Sequence, residues 1–134
     1  MDSVDRKIIE ELQENGRAPF TDVAENIDVS EGTVRNRVEK LRKEDIIEKF
    51  TVKIDESRKV RAFVSVDVST EKDFAEILAG FPERMEVFEI AGDIDLLVKI
   101  SRETSEEINQ VVDEIRAVEG VERTKTYMVL SSEN

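Results

Sequence analysis

Between Arg61 and Ser69 the chain alternates with a strict period of two. Ala62, Val64, Val66 and Val68 fall on one face, and Phe63, Ser65 and Asp67 on the other. Such a run reads as a strand with one buried face. Upstream the period is helical: Val4, Ile8, Ile9 and Leu12 repeat at the spacing of one helix face. The change of period divides the chain into a helical part over 1–48, a connector over 49–60, and a strand-and-helix part over 61–134.

The helical part reads as three short helices. Asp2 or Ser3 can cap the first, and Gly16 with Pro19 ends it. Thr21 is the expected N-cap of the second, whose Val23, Ala24 and Ile27 face inward. Asp28 and Val29 make a short turn, and Ser30 caps the third, with Glu31 favourably placed in its first turn. Val34, Val38 and Leu41 form its buried stripe. Two short helices joined by a tight turn, the second basic, make the helix-turn-helix pattern. The second helix of that motif fits the DNA major groove, and its N-terminus favours phosphate. At about 100° per residue, Asn36 and Lys43 lie nearly opposite Val34, with Lys40 nearby and Thr33 and Arg35 flanking. Asn pairs with adenine and Arg with guanine in bidentate fashion. Arg37 lies about 60° from the buried stripe. It reads either as a phosphate contact or as an ion pair with Glu44 or a neighbouring helix.

The connector has two pieces. Lys49–Ile54 alternates and reads as a strand, while Asp55–Lys59 is polar and reads as a turn or hinge. Beyond it, strand and helix alternate. After the strand at 61–69, a helix is expected from Thr70 to Gly80, with Phe74, Ile77 and Leu78 inward. Strands follow at Val87–Ala91 and Leu96–Ser101, linked by the turn-rich Gly92-Asp93-Ile94-Asp95. Thr104 caps a long helix with Ile108, Val111, Val112 and Ile115 inward, Gly120 ends it, and Val121–Leu130 is the last strand. The order β-α-β-β-α-β is the ferredoxin-like arrangement, so the fold class is α+β. One antiparallel sheet with both helices on one face follows, and its other face needs cover, which predicts a homodimer.

Composition narrows the chemistry. The 134 residues contain neither Cys nor His. That excludes disulfides, Cys or His nucleophiles and ordinary zinc or transition-metal sites; a carboxylate-only magnesium site stays formally open, and no cofactor or metal is expected. No apolar run approaches the roughly 20 residues of a membrane helix, and MDSVDRK is no signal peptide, so a cytoplasmic protein without membrane contact is expected. The net charge is −12, made up of −5 over 1–48, +2 over 49–60 and −9 over 61–134. Within the first part, RNRVEKLRK at 35–43 is a dense basic stripe. An acidic protein with one such stripe suits a site-limited contact with a polyanion; a solvated helix face is the plainer reading.

Two blocks carry a wider resemblance: VDRKIIEELQENGRAPFTDVAENIDVSEGTVRNRVEKLRKEDII, and AGDIDLLVKI followed by a helix and VEGVERTKTYMVL. In this order and spacing they resemble the leucine-responsive regulatory protein/AsnC family, also called feast/famine regulators. The resemblance implies a winged-type helix-turn-helix joined to a ferredoxin-like regulatory domain. It implies a transcriptional regulator that binds double-stranded DNA, works as a homodimer or higher oligomer, and senses a small effector, usually an amino acid. Carried over by position, the DNA-binding residues are Ser30, Glu31, Gly32, Thr33, Arg35, Asn36, Arg37, Lys40 and Lys43. The effector region is Gly92, Asp93, Ile94 and Asp95, with Thr124 and Thr126 on the last strand as further candidates. A carboxylate beside a turn can hold an amino group, and turn amides a carboxylate. The plainer reading of Gly92-Asp93 is a tight turn with a self-capping Asp. The sequence departs from the family at Ile94, often aromatic there, at Asp45, usually Gly, and in a shorter connector. Three alternatives remain open: a ligand-independent architectural DNA-binding protein, an enzyme like the tetrapyrrole decarboxylases that share this architecture, and a purely protein-binding module, which the basic helix disfavours. The lack of His counts against the enzyme.

Overall fold

The computed structural model describes residues 1–133. Two compact units divide at Ile54/Asp55. The first holds α1 (Ser3–Glu14), α2 (Phe20–Ile27) and α3 (Glu31–Lys43). Ile8, Val23, Ala24, Val34 and Val38 are its buried core, edged by Val4, Leu12, Ala18, Phe20, Ile27, Val29 and Ile47.

Local chemistry sets each helix boundary. Asp2 caps α1 and shares a reciprocal capping box with Asp5. The N-cap of α2 is Pro19, not Thr21, which lies inside the helix. Proline's fixed φ sets the chain for a helix, and the Pro19 carbonyl accepts from the amides of Asp22 and Val23. Asp28 closes α2 in the left-handed region at φ 60°, a conformation that Asp tolerates. Ser30 caps α3. At the far end Asp45 takes φ 55°, with the Asp45 amide donating to Arg42 and the Ile46 amide to Leu41. That is the Schellman pattern, completed by Asp where glycine is the usual choice.

Arg37 ties α3 to α1. Its Nη1 donates to Asp2 Oδ2 at 2.5 Å and to Asp5 Oδ1 at 3.2 Å. The amide of Asp5 and then the Arg37 guanidinium lower the Asp2 pKa to about 2.

The strand expected over Lys49–Ile54 is not formed: residues 48–54 have no regular structure. A strand needs a ladder partner for its amides and carbonyls, and among the described residues this segment pairs with no strand. Its apolar side chains point to solvent, Val52 being 79% exposed. A short 3₁₀ turn, Glu56–Arg58, follows.

The second unit comprises β1 (Val60–Val68), α4 (Phe74–Ala79), β2 (Glu86–Glu89), β3 (Leu96–Arg102), α5 (Ser105–Arg116) and β4 (Val121–Met128). The sheet runs β2-β3-β1-β4 and every pairing is antiparallel. Ala62, Val64 and Val66 of β1 and Leu96, Val98 and Ile100 of β3 pack with Ile108, Val111, Val112 and Ile115 of α5. Phe74 and Leu78 of α4 close over the same face. Several ends differ from expectation. Helix α4 begins at Phe74, not Thr70, because Asp73 caps it and Ser69 holds the preceding turn through the Glu71 amide. Strand β2 stops at Glu89, opposite Leu96, the first residue of β3. Strand β4 stops at Met128, opposite Ala62, with one further bond from the Val129 amide to the Arg61 carbonyl.

On the opposite face the register lines up Phe88, Leu97, Ser65 and Lys125 in one row and Glu86, Lys99, Phe63 and Tyr127 in the next. Phe88 and Tyr127 there are about half exposed.

Two outcomes test these local assignments. Asp2 has a depressed pKa, so its contribution is complete above its ordinary value of 3.8 and is lost as pH falls through about 2. Asp2→Asn keeps a capping side chain but not the charge. The urea midpoint of the native chain will therefore exceed that of Asp2→Asn near neutrality, and the gap will close across this acid window. Gly120 sits at φ 101°, and a Cβ there would lie 2.8 Å from Ile77 Cγ1. Gly120→Ala will lower stability by on the order of 1–3 kcal/mol in urea unfolding.

Candidate nucleic-acid interface and effector region

Helix α3 is built to show one face. Val34, Val38 and Leu41 are buried, which turns Gly32, Arg35, Asn36, Lys40 and Lys43 to solvent. At its start Ser30 Oγ accepts from the Thr33 amide at 3.1 Å and shares a hydrogen bond of 2.8 Å with Thr33 Oγ1. Arg35 is held on two sides: it forms an ion pair with Glu31 one turn back, and its guanidinium lies 5.5 Å from the Phe20 ring centroid. These contacts restrict a long side chain while leaving it 56% exposed. A Cβ on Gly32 would meet nothing nearer than Ser30 Oγ at 4.0 Å. The start of α3 therefore offers an open approach to its first-turn amides, next to a cap, a preset arginine and Asn36. This arrangement can accept a phosphate and present donors to base edges.

Arg37 stands apart from that face. It forms the ion pair expected with a neighbouring helix, its partners being Asp2 and Asp5 at the start of α1 and not Glu44. The spacing of Asp2 and Asp5, three apart at a helix start, was the available signal. Arg42, one of the cations of the basic stripe, stacks 5.5 Å from the Phe50 ring centroid.

In the second unit Gly92 and Asp93 are exposed and Ile94 is half-buried. The loop closes through the Ile90 amide, which donates to the Asp95 carbonyl at 2.9 Å. Asp95 Oδ2 accepts from the amide of Val68 at 2.9 Å, so this carboxylate is engaged by the end of β1. Gly92 has no positive φ, and a Cβ on it would make only an ordinary contact of 3.8 Å with Ile90. The turn does not require glycine on backbone or packing grounds. Thr124 Oγ1 accepts from Arg116 Nε at 2.9 Å, and Thr126 is exposed two residues on. Both lie on edge strand β4, separated from β3 by β1, so within one chain they do not meet the Gly92 loop. Among the described residues no group of three or more acidic side chains is arranged to hold a metal ion.

Known proteins match both units. Residues 1–42 match the AsnC-type helix-turn-helix domain, and residues 61–133 match the Lrp/AsnC ligand binding domain. The chain is 39% identical to the HTH-type transcriptional regulator FL11 of Pyrococcus horikoshii, over 98% of this chain and 91% of that one. It is 36% identical to the HTH-type transcriptional regulator LysM of Saccharolobus solfataricus, over 97% and 94%. Its fold matches that of a feast or famine regulatory protein from M. tuberculosis complexed with L-methionine, with TM-score 0.85 and 21% identity over 98% and 92%. The relatives are named as regulators and not as enzymes, in line with a chain that has no histidine. With an AsnC-type helix-turn-helix domain in one unit and a ligand-binding domain in the other, the chain belongs to the Lrp/AsnC family of transcriptional regulators.

Proposed function

We propose that this regulator binds double-stranded DNA as a homodimer or higher oligomer, and that a small effector, an amino acid, alters its DNA affinity or assembly from the Gly92–Asp95 loop. The observation that carries the effector site is Gly92. A glycine that neither φ nor packing demands points to close approach by something outside the chain. The loop amides suit a carboxylate and exposed Asp93 suits an ammonium group. The methionine bound to the M. tuberculosis protein supports this ligand class. Thr124 and Thr126 join the site only where a second copy brings its β4 edge to the loop.

Two features support the dimer. Within its own unit the sheet face bearing Phe63, Phe88, Leu97 and Tyr127 has no cover, and among the described residues Lys49–Ile54 keeps a strand's alternation without a partner. On DNA, Arg35 and Asn36 read base edges, Lys40 and Lys43 contact phosphates, and Ser30, Glu31, Gly32 and Thr33 shape the helix start. Such a protein works in the cytoplasm of a prokaryote, beside the DNA.

Fluorescence anisotropy against DNA from the protein's own upstream region, at two salt concentrations, tests the reading. Binding will be sequence-selective and weaken with salt, and one member of an amino-acid panel will shift it. Arg35→Ala and Asn36→Ala will each cost about 1–3 kcal/mol of specific binding while the far-ultraviolet spectrum stays native. Selective binding that ignores every amino acid would favour the architectural alternative instead. Gly92→Ala will keep the melting temperature and basal DNA affinity but lose the effector response. A variant that responds like the native chain would remove the loop from the effector site.

A further inference from the structure

We infer that Arg37 is a positioning residue for the DNA-reading helix and not a DNA ligand: its guanidinium locks α3 to the first turn of α1 through Asp2 and Asp5. This rests on the DNA-binding reading and reassigns one of its basic residues.

The network is closed. Asp2 Oδ1 accepts from the Asp5 amide at 2.9 Å, and Asp5 Oδ2 from the Asp2 amide at 3.2 Å. The remaining two carboxylate oxygens, Asp2 Oδ2 and Asp5 Oδ1, both accept from Arg37 Nη1. Each of the four oxygens thus has a donor, and the arginine supplies those that the capping box does not. Asp5 is only 5% exposed. A buried carboxylate needs a counter-charge, and Arg37 is the cation bonded to it. Releasing Arg37 to a phosphate would leave that carboxylate without its cation. Arg37 is also the more enclosed of the neighbouring arginines, with a side chain 32% exposed against 56% for Arg35. Arg35 is on the open face, whereas Arg37 holds α3 against the first turn of α1.

The two roles predict opposite signs. If Arg37 contacted DNA, Asp2 would compete with phosphate for it, and Asp2→Asn would tighten binding. If Arg37 positions α3, the same substitution loosens the clamp and weakens binding. Asparagine caps a helix as well as aspartate does, so α1 keeps its start.

Anisotropy titrations of the full-length protein on its upstream DNA, across a salt series, decide between them. Glu10→Gln, an exposed neutralisation on the same helix, serves as the control for general charge. Asp2→Asn will bind specific DNA about three- to tenfold more weakly than Glu10→Gln does. Its slope of log affinity against log salt will match the control. Arg37→Gln will also weaken binding with an unchanged slope, and the double variant will be no weaker than Arg37→Gln alone. Asp2→Asn that binds as tightly as the control, or tighter, overturns the inference. A slope reduced by about one in Arg37→Gln does so as well, since that marks a lost phosphate contact. If Arg37→Gln fails to fold, Asp2→Asn alone decides by its sign. A native protein that shows no selective binding would instead sink the DNA-binding reading itself.

Discussion

Strand β1 is hydrogen-bonded on both sides, to β3 and to β4, and the rest of the C-terminal unit is arranged by that fact. Ala62, Val64 and Val66 lie at zero exposure beneath α5, whose Ile108 and Ile115 are equally enclosed. Because side chains alternate across a strand, burying one face of β1 commits Phe63, Ser65 and Asp67 to the other. One-residue slippage would exchange the two sets, so the apolar pattern also fixes the register. The open face is therefore a necessary counterpart of the core, which makes the demand for a cover intrinsic to this fold.

Much of this is legible in the sequence where short-range chemistry decides. The stripe of Val34, Val38 and Leu41, the Ser30 and Thr104 caps, and the alternation along β1 depend on neighbours a few residues away. Sequence reasoning fails where the deciding partner is distant or missing. Lys49–Ile54 has a strand's alternation, but alternation cannot supply a ladder. Thr21 has the chemistry of a good cap, yet Pro19 has already set the helix start. Arg37 can be placed by angle alone, but Asp2 and Asp5, more than 30 positions away, cannot be chosen over Glu44 without the fold. The candidate effector residues show the same limit. Gly92 and Asp93 are recognisable as a turn, whereas Thr124 and Thr126 lie on an edge strand away from it in the same chain.

An acidic protein that binds DNA must keep its cations from spreading over unselected contacts. Here the basic side chains of α3 are divided among distinct partners. Glu31 and Phe20 restrain Arg35, Asp2 and Asp5 bind Arg37, and Phe50 stacks with Arg42. Lys40 and Lys43 face solvent. The stripe that looks like one continuous positive patch in sequence is thus reduced to a few available charges in fixed places, with −9 carried by residues 61–134.

The bond from the Val68 amide to the Asp95 carboxylate ties the Gly92 loop to the last residue of β1, where the β1–β4 register slips between Asp67 and Val68. A loop that moves must either break that bond or drag the slip with it. Asp67, beside the slip, projects on the open face and pairs there with Arg123 at 3.4 Å. One hydrogen bond, one slip in register and one ion pair thus join the loop to the open face in an unbroken line.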